Sequence, residues 1–187
     1  MEQDLIRVLH VEDDPFDRGL VRESLKAGKG FFLAEAARQA DFQRMLEAEE
    51  WDCVLTDLQL SGYSGLDVLE RVNALRPGLP VVFLTAAGSE EIAVEAMKKG
   101  AADYLLKNPV HYVKLPLVLR NAVATREALR ERQRIQEALE EREVAYRQLF
   151  EANPNPMWIF DPGSLRFLEV NPAAVRHYGW SRQEFLG

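Results

Sequence analysis

Polar residues suited to phosphoryl chemistry stand where the short apolar runs of this chain give out. Glu12 and Asp13 follow the run Ile6–Val11, Asp57 follows 53–56, Thr85 closes Val81–Thr85, and Lys107 comes directly after 104–106. Three carboxylates brought close together repel unless a cation or proton intervenes, and hard oxygen ligands favour magnesium or a similar divalent ion. A metal, a carboxylate nucleophile, a hydroxyl donor and a lysine are the parts needed to receive a phosphoryl group. The ion and the ammonium neutralise its oxygens while the carboxylate attacks in line.

Whether these groups meet depends on the elements that carry them. Five β-rich apolar runs, at Ile6–Val11, 31–34, 53–56, Val81–Thr85 and 104–106, read as strands. Between them lie segments with helical spacing, among them Phe16, Leu20, Val21 and Leu25, then Leu66, Val68, Leu69 and Val72. Strands apolar almost throughout suit a parallel sheet covered by helices on both faces. The expected fold is therefore α/β, a doubly wound five-stranded parallel sheet. Such a sheet binds its ligand outside the carboxyl ends of its strands, where the polar residues fall. Punctuation agrees: Asp14 with Pro15 predicts an N-cap and first-turn proline, Ser89 a cap for the fourth helix, and Gly100 a C-terminal stop.

The motifs around these positions resemble the response-regulator receiver family of two-component signalling, across residues 5–121. The resemblance rests on Val11, Glu12, Asp13, Asp14 and Pro15; on Leu55, Thr56, Asp57 and Leu58 with Gly62 and Gly65; on Leu84, Thr85 and Ala86; and on the run from Gly100 to Lys107. The successive intervals of 44, 28 and 22 residues from Asp13 through Asp57 and Thr85 to Lys107 also suit that family. The resemblance implies a flavodoxin-like receiver in which Asp57 accepts phosphate from a phosphohistidine on a histidine kinase or phosphotransfer protein. Glu12, Asp13, Asp57 and the backbone carbonyl of Gln59 would hold Mg2+, and Lys107 would contact the phosphoryl oxygens. Thr85 would move toward the phosphoryl group and Tyr104 rotate into the space it leaves, repacking the face of the fourth helix, fifth strand and fifth helix. One departure stands out. The family has proline directly after its lysine, joined by a cis peptide, whereas Asn108 intervenes here before Pro109. A cis bond before Asn108 would cost about 2.5 to 4 kcal/mol.

From Val113 to Phe150 the composition favours helix, without glycine and with Pro116 near the start. At 1.5 Å per residue this helix would be roughly 55 Å long. Val118, Thr125, Arg132, Leu139 and Tyr146 form one set seven apart, and Asn121, Ala128, Ile135, Arg142 and Leu149 a neighbouring one, a diluted heptad pattern. Glu127 with Arg130, Glu131 with Arg134 and Glu143 with Arg147 are spaced to support the helix. A helix this charged is a solvated spacer or one strand of a coiled coil, and we expect a homodimer through it. Beyond Phe150, Asn153 to Pro156 break the helix. Two short strands at 157–160 and Phe167–Val170 then flank the turn Asp161, Pro162, Gly163, with a short helix from Pro172. The tail from Tyr146 to Gly187 resembles the start of a PAS sensor domain, roughly its first third, on Phe150 to Pro154, Met157 to Asp161, Val170 to Ala174, Tyr178 to Ser181 and Glu184 to Gly187. Trp158, Phe160 and Phe167 are expected there as core residues, with no cofactor bound.

The expected organisation is a receiver at 1–121, a fifth helix and coiled-coil signalling linker at 113–149, and an incomplete PAS domain at 150–187. A net charge of −7 argues against nucleic acid as a direct partner. The acidic start does not resemble a signal peptide, no run is long and apolar enough to span a membrane, and the lone Cys53 in an apolar run fits a reducing cytoplasm. His10, His111 and His177 lack metal-ligand spacing. The expected function is a phosphoacceptor switch without enzymatic activity of its own beyond self-phosphorylation and slow dephosphorylation. It would relay the change through the helical linker to the PAS domain and to output modules beyond residue 187, or serve as the regulatory fragment of a hybrid histidine kinase or a diguanylate cyclase. The alternative is a phosphate sink or a phosphorylation-independent scaffold.

Overall fold

The computed structural model describes residues 5–86 and 90–187. The chain divides into two compact units, Met1–Leu129 and Arg130–Gly187. The first contains, in order, β1 (Ile6–Val11), α1 (Pro15–Gly28), β2 (Phe31–Ala36), α2 (Gln39–Ala48), β3 (Cys53–Asp57), β4 (Gln59–Leu60), β5 (Tyr63–Ser64), α3 (Gly65–Leu75), β6 (Val81–Thr85), α4 (Glu90–Lys98), β7 (Asp103–Leu106) and the first half of α5 (Pro109–Glu151). The five longer strands form a parallel sheet in the order β2-β1-β3-β6-β7, the doubly wound arrangement expected. Every residue of β3 and β6 is buried, which is why these runs are continuously apolar instead of alternating.

Side-chain alternation splits the core into two layers. Leu9 and Val11 pack with Phe42, Leu46, Val68, Leu69 and Val72 from α2 and α3. Val8, on the opposite face of β1, packs with Val21 and Leu25 of α1 and with Leu115, Leu119 and Val123 of α5. This second layer brings a proline into a helix interior. Pro116 has no N–H for the carbonyl of Tyr112, a loss that ordinarily weakens a helix. The Ser24 hydroxyl donates to that carbonyl instead. Gly28 makes room for the ring, since a Cβ there would lie 2.6 Å from Pro116 Cβ and Cγ.

The caps follow the sequence closely. Asp14 accepts from the backbone N–H of Phe16 and Asp17, with Pro15 in the first turn. Gly100 takes φ +97 just after α4, a conformation that favours glycine. The expected cap at Ser89 lies outside the described residues. Two features differ from expectation. A small antiparallel hairpin, β4 with β5, turns through Ser61 and Gly62 directly after β3. Also, α5 begins at Pro109 and not near Val113. Asn108 caps it: its side-chain oxygen accepts from His111 N–H at 2.9 Å, and its carbonyl accepts from Tyr112 N–H at 3.1 Å. Asn108 and Pro109 are thus an N-cap and first-turn pair, and there is no cis peptide at Lys107–Asn108.

The second unit contains the remainder of α5, β8 (Trp158–Phe160), β9 (Phe167–Val170), α6 (Pro172–Tyr178) and α7 (Arg182–Leu186). β8 and β9 form an antiparallel hairpin, and Val170, Ala174 and Phe185 make a small core. Its organising residue is Asn171, fully buried. Its amide nitrogen donates to the carbonyls of Phe150 and Asn155 at 3.0 and 2.9 Å, while its oxygen accepts from Met157 and Ala174 N–H. One side chain therefore satisfies the end of α5, the start of β8 and the N-terminus of α6. Trp158 and Phe160, expected in the core, are 42% and 46% exposed. Along this part of α5, Ile135, Leu139 and Leu149 are exposed, and the expected Glu143–Arg147 pair closes at 2.8 Å. Among the described residues no helix is long and apolar enough to cross a membrane.

Candidate functional site

Parallel pairing sets the site. β1, β3 and β6 lie side by side, with Val11 opposite Thr56, Asp57 opposite Leu84, and Thr85 opposite Leu106 of β7. The residues that follow or end these strands are thereby delivered to one carboxyl edge. Lys107 Nζ reaches across it to Glu12 Oε2 and Asp57 Oδ2, each at 2.8 Å, and to Asp17 Oδ2 at 2.6 Å.

Three carboxylates meet the Lys107 ammonium, Glu12, Asp57 and Asp17 from the first turn of α1, while Asp13 lies beside Glu12 without touching Lys107. The Asp13 carboxylate is turned to the β4–β5 hairpin, where its Oδ2 accepts from the Ser61 hydroxyl and, at 3.1 Å, from Ser61 N–H. The Ser61 hydrogen bonds hold the Asp13 carboxyl below the usual carboxylate range. Among the described residues, no three histidine, cysteine or acidic side chains are gathered as a metal cage. The donor set is nonetheless all hard oxygen, the chemistry magnesium prefers, while Lys107 is the cation these carboxylates share in the structure.

Local contacts fix each member. Asp57 Oδ1 accepts from Leu58 N–H at 2.6 Å, and the Thr56 hydroxyl donates to the Asp57 carbonyl at 2.9 Å. Gly65 opens α3 against that same backbone, where a Cβ would overlap the Asp57 carbonyl oxygen and lie 2.8 Å from the Phe83 ring. Arg18 of α1 donates to the carbonyls of Glu12 and Asp13 at 2.8 and 2.9 Å, holding the loop after β1. Thr85 is buried and donates to the Ala86 carbonyl at 3.3 Å. Tyr104, on β7, is 41% exposed. Gln59 opens β4, two residues after Asp57. Asp17, Arg18 and Ser61 had no place in the sequence-based set. Asp17 and Arg18 read as first-turn helix residues, and Ser61 as part of a turn.

The electrostatics follow from burial. The Glu12 side chain is 1% exposed, and that burial raises its carboxyl above the ordinary glutamate range by more than Lys107 and the Asp14 N–H lower it. For Lys107 the balance is reversed: burial disfavours the charge, but bonds to Asp17, Asp57 and Glu12 outweigh it and raise its pKa. The ammonium is thus charged at neutral pH. Cys53 is buried in the core, and burial pushes its thiol up and away from reactivity.

His10 lies one layer below, fully buried on the α1/α5 face of β1. Neither ring nitrogen has a hydrogen-bond partner. Burial first, then the charges of Lys107, Arg18 and Arg22, push it down from 6.5 to about 3. A depressed folded pKa means that His10 contributes stability fully above 6.5, which is lost as pH falls toward about 3. Below pH 6 the wild type should therefore lose up to about 1.4 kcal/mol per pH unit more than His10→Val. Urea unfolding of both proteins at pH 7, 6 and 5 measures the difference. Equal slopes would mean that the imidazole titrates alike folded and unfolded.

Comparison with known proteins places this geometry. The family model described as response regulator receiver domain matches residues 8–115, and one described as PAS domain matches 145–187. The transcriptional regulatory protein ZraR of Escherichia coli is 37% identical over 126 residues, covering 66% of this chain and 28% of that protein. The response regulator protein FleR of Pseudomonas aeruginosa is 37% identical over 117 residues, covering 63% of this chain and 24% of that protein. The chain thus spans under a third of the length of these relatives. Among solved structures, the receiver domain of NtrX from Brucella abortus superposes with a TM-score of 0.59 at 30% identity, covering 63% of this chain and 98% of that one. A response regulator receiver domain protein from Clostridium thermocellum superposes at 0.61 with 28% identity, covering 67% and 99%. Matched by the family model over more than half its length, the chain belongs to the response regulator receiver domain family, with a PAS match following the receiver.

Proposed function

We propose that Asp57 is the phosphoacceptor of this receiver, with Lys107 and Thr85 as the groups that meet the phosphoryl oxygens. The observation that carries this reading is the 2.8 Å contact of Lys107 Nζ with Asp57 Oδ2 at the carboxyl edge of the sheet. Leu58 N–H engages the other carboxylate oxygen, so each oxygen of the side chain has its own partner and the carboxylate is held in one orientation. Receiver domains in general are phosphorylated by histidine kinases and bind magnesium at their acidic site. Here Asp13, Asp57 and the Gln59 carbonyl, with Glu12 beside them, would hold that ion, which supplies charge neutralisation for the phosphoryl oxygens. Tyr104 stands half-exposed on β7, so its ring has an outward position from which to rotate when Thr85 moves toward a phosphoryl group.

The domain reading is a receiver at 1–121, a helical linker at 113–149 and the start of a PAS domain from 150, in a cytoplasmic setting. The exposed Ile135, Leu139 and Leu149 follow the heptad sets and support the linker as a homodimer seam that relays the phosphorylation state. The test is intact mass and sedimentation after incubation with magnesium and acetyl phosphate. Wild type should gain one phosphoryl group and sediment as a dimer, and Asp57→Ala should gain none. Uptake by Asp57→Ala equal to wild type would remove Asp57 from the role, and a monomer at every concentration would remove the seam.

A further inference from the structure

Asp17 has no part in the phosphoacceptor set described above, yet its carboxylate makes the shortest of the three contacts to Lys107, 2.6 Å against 2.8 Å for Glu12 and Asp57. A lysine ammonium has three N–H donors and no more. Glu12, Asp17 and Asp57 take one each, so a phosphoryl oxygen can gain Lys107 only by displacing one of them. The three differ in what release would cost. Glu12 is 1% exposed and would be left as a buried charge without its counterion, which is expensive. Asp57 is the acceptor itself, at 12%. Asp17 is the most exposed, at 22%, and sits at the solvent side of the first turn of α1, where the helix N-terminus also favours a negative charge.

We propose that Asp17 is a positioning residue that holds the Lys107 ammonium toward α1 and competes for it with the incoming phosphoryl group. The inference rests on Asp57 being the phosphoacceptor. In the transfer step a carboxylate oxygen of Asp57 forms a bond to phosphorus while the bond from phosphorus to the acyl oxygen of the donor breaks. Acetate leaves with that electron pair, and no proton or redox partner is consumed. Lys107 follows the charge, exchanging Asp17 for a phosphoryl oxygen, and Asp17 turns to water.

The test compares wild type, Asp17→Asn and Asp17→Glu in the intact chain. Asn keeps the size and a weaker acceptor but removes the charge, and charge-assisted hydrogen bonds are about twice as strong as neutral ones. Phosphoryl uptake from acetyl phosphate with magnesium should quicken about tenfold in Asp17→Asn, and Asp17→Glu should stay near wild type. Solvent exchange of the Lys107 ammonium protons, followed by nitrogen-15 NMR without phosphodonor, should quicken in Asp17→Asn alone. A purely helix-stabilising Asp17 would change the stability of α1 and leave that exchange untouched. Unchanged exchange, or uptake that is unchanged or slower in Asp17→Asn while wild type is phosphorylated, overturns the proposal and leaves the phosphoacceptor reading standing. A wild type that takes up no phosphate overturns both.

Discussion

Lys107→Ala is expected to cost the receiver unit about 3–5 kcal/mol at pH 7, because it strips the counterion from a buried carboxylate instead of removing a matched pair. The size of the loss comes from Glu12, whose side chain is 1% exposed and whose carboxyl is already raised by burial. Without the ammonium, one of the influences lowering its pKa disappears and it rises further. A carboxyl with a raised folded pKa stabilises the fold below its unfolded value, near 4.5, and that contribution is lost as pH rises through the folded pKa. The deficit of Lys107→Ala relative to wild type should therefore be largest at pH 7 and shrink as pH falls toward 4.5. Urea midpoints of the two proteins at pH 7 and pH 5 give the comparison. A deficit independent of pH would place the cost in lost packing of the lysine stem. The same variant should slow phosphoryl uptake by about 100-fold, the usual effect of deleting one preorganised charge at a transferring group.

Gly65→Ala should also be damaging, for a steric reason. The α3 N-terminus approaches β3 so closely that a Cβ at 65 would overlap the Asp57 carbonyl oxygen and press on Phe83. Both neighbours are buried and neither is a flexible side-chain end. Relief requires backbone movement of α3 or of the Asp57 segment, and overpacking of this kind costs about 1–3 kcal/mol. Because Gly65 N–H also donates to the Leu58 carbonyl at 2.9 Å, movement at 65 is passed to the residue whose N–H orients Asp57. Stability and phosphoryl uptake should fall together. Full uptake in a destabilised variant would show that α3 yields and the acceptor loop does not.

The sheet and the edge that carries the site were legible because β1, β3, β6 and β7 are short apolar runs ending in polar residues, and the strand order then dictates who meets whom. Three features were not. The β4–β5 hairpin has two-residue strands, too short for any periodicity to register. The start of α5 falls earlier than composition suggests, because Asn108 and Pro109, which stand out in the sequence only as a departure from the family's lysine–proline pair, make a good helix cap. Asp17 was hidden by ambiguity: an acidic residue in a first helical turn has a sufficient local reason to be there, and its partner lies 90 residues away.

Asn171 has a practical consequence for anyone recombining modules of this kind. Its amide ties carbonyls at Phe150 and Asn155 to a side chain 21 and 16 residues downstream, so these positions behave as one inseparable cassette. A chimera joined between Phe150 and Asn171 would leave several peptide groups without partners on both sides of the splice. A junction between Ile135 and Val144, where the helix is exposed throughout, cuts none of them. The transferable unit therefore starts inside the helix, upstream of the Asn153–Pro156 break that looks like its natural border.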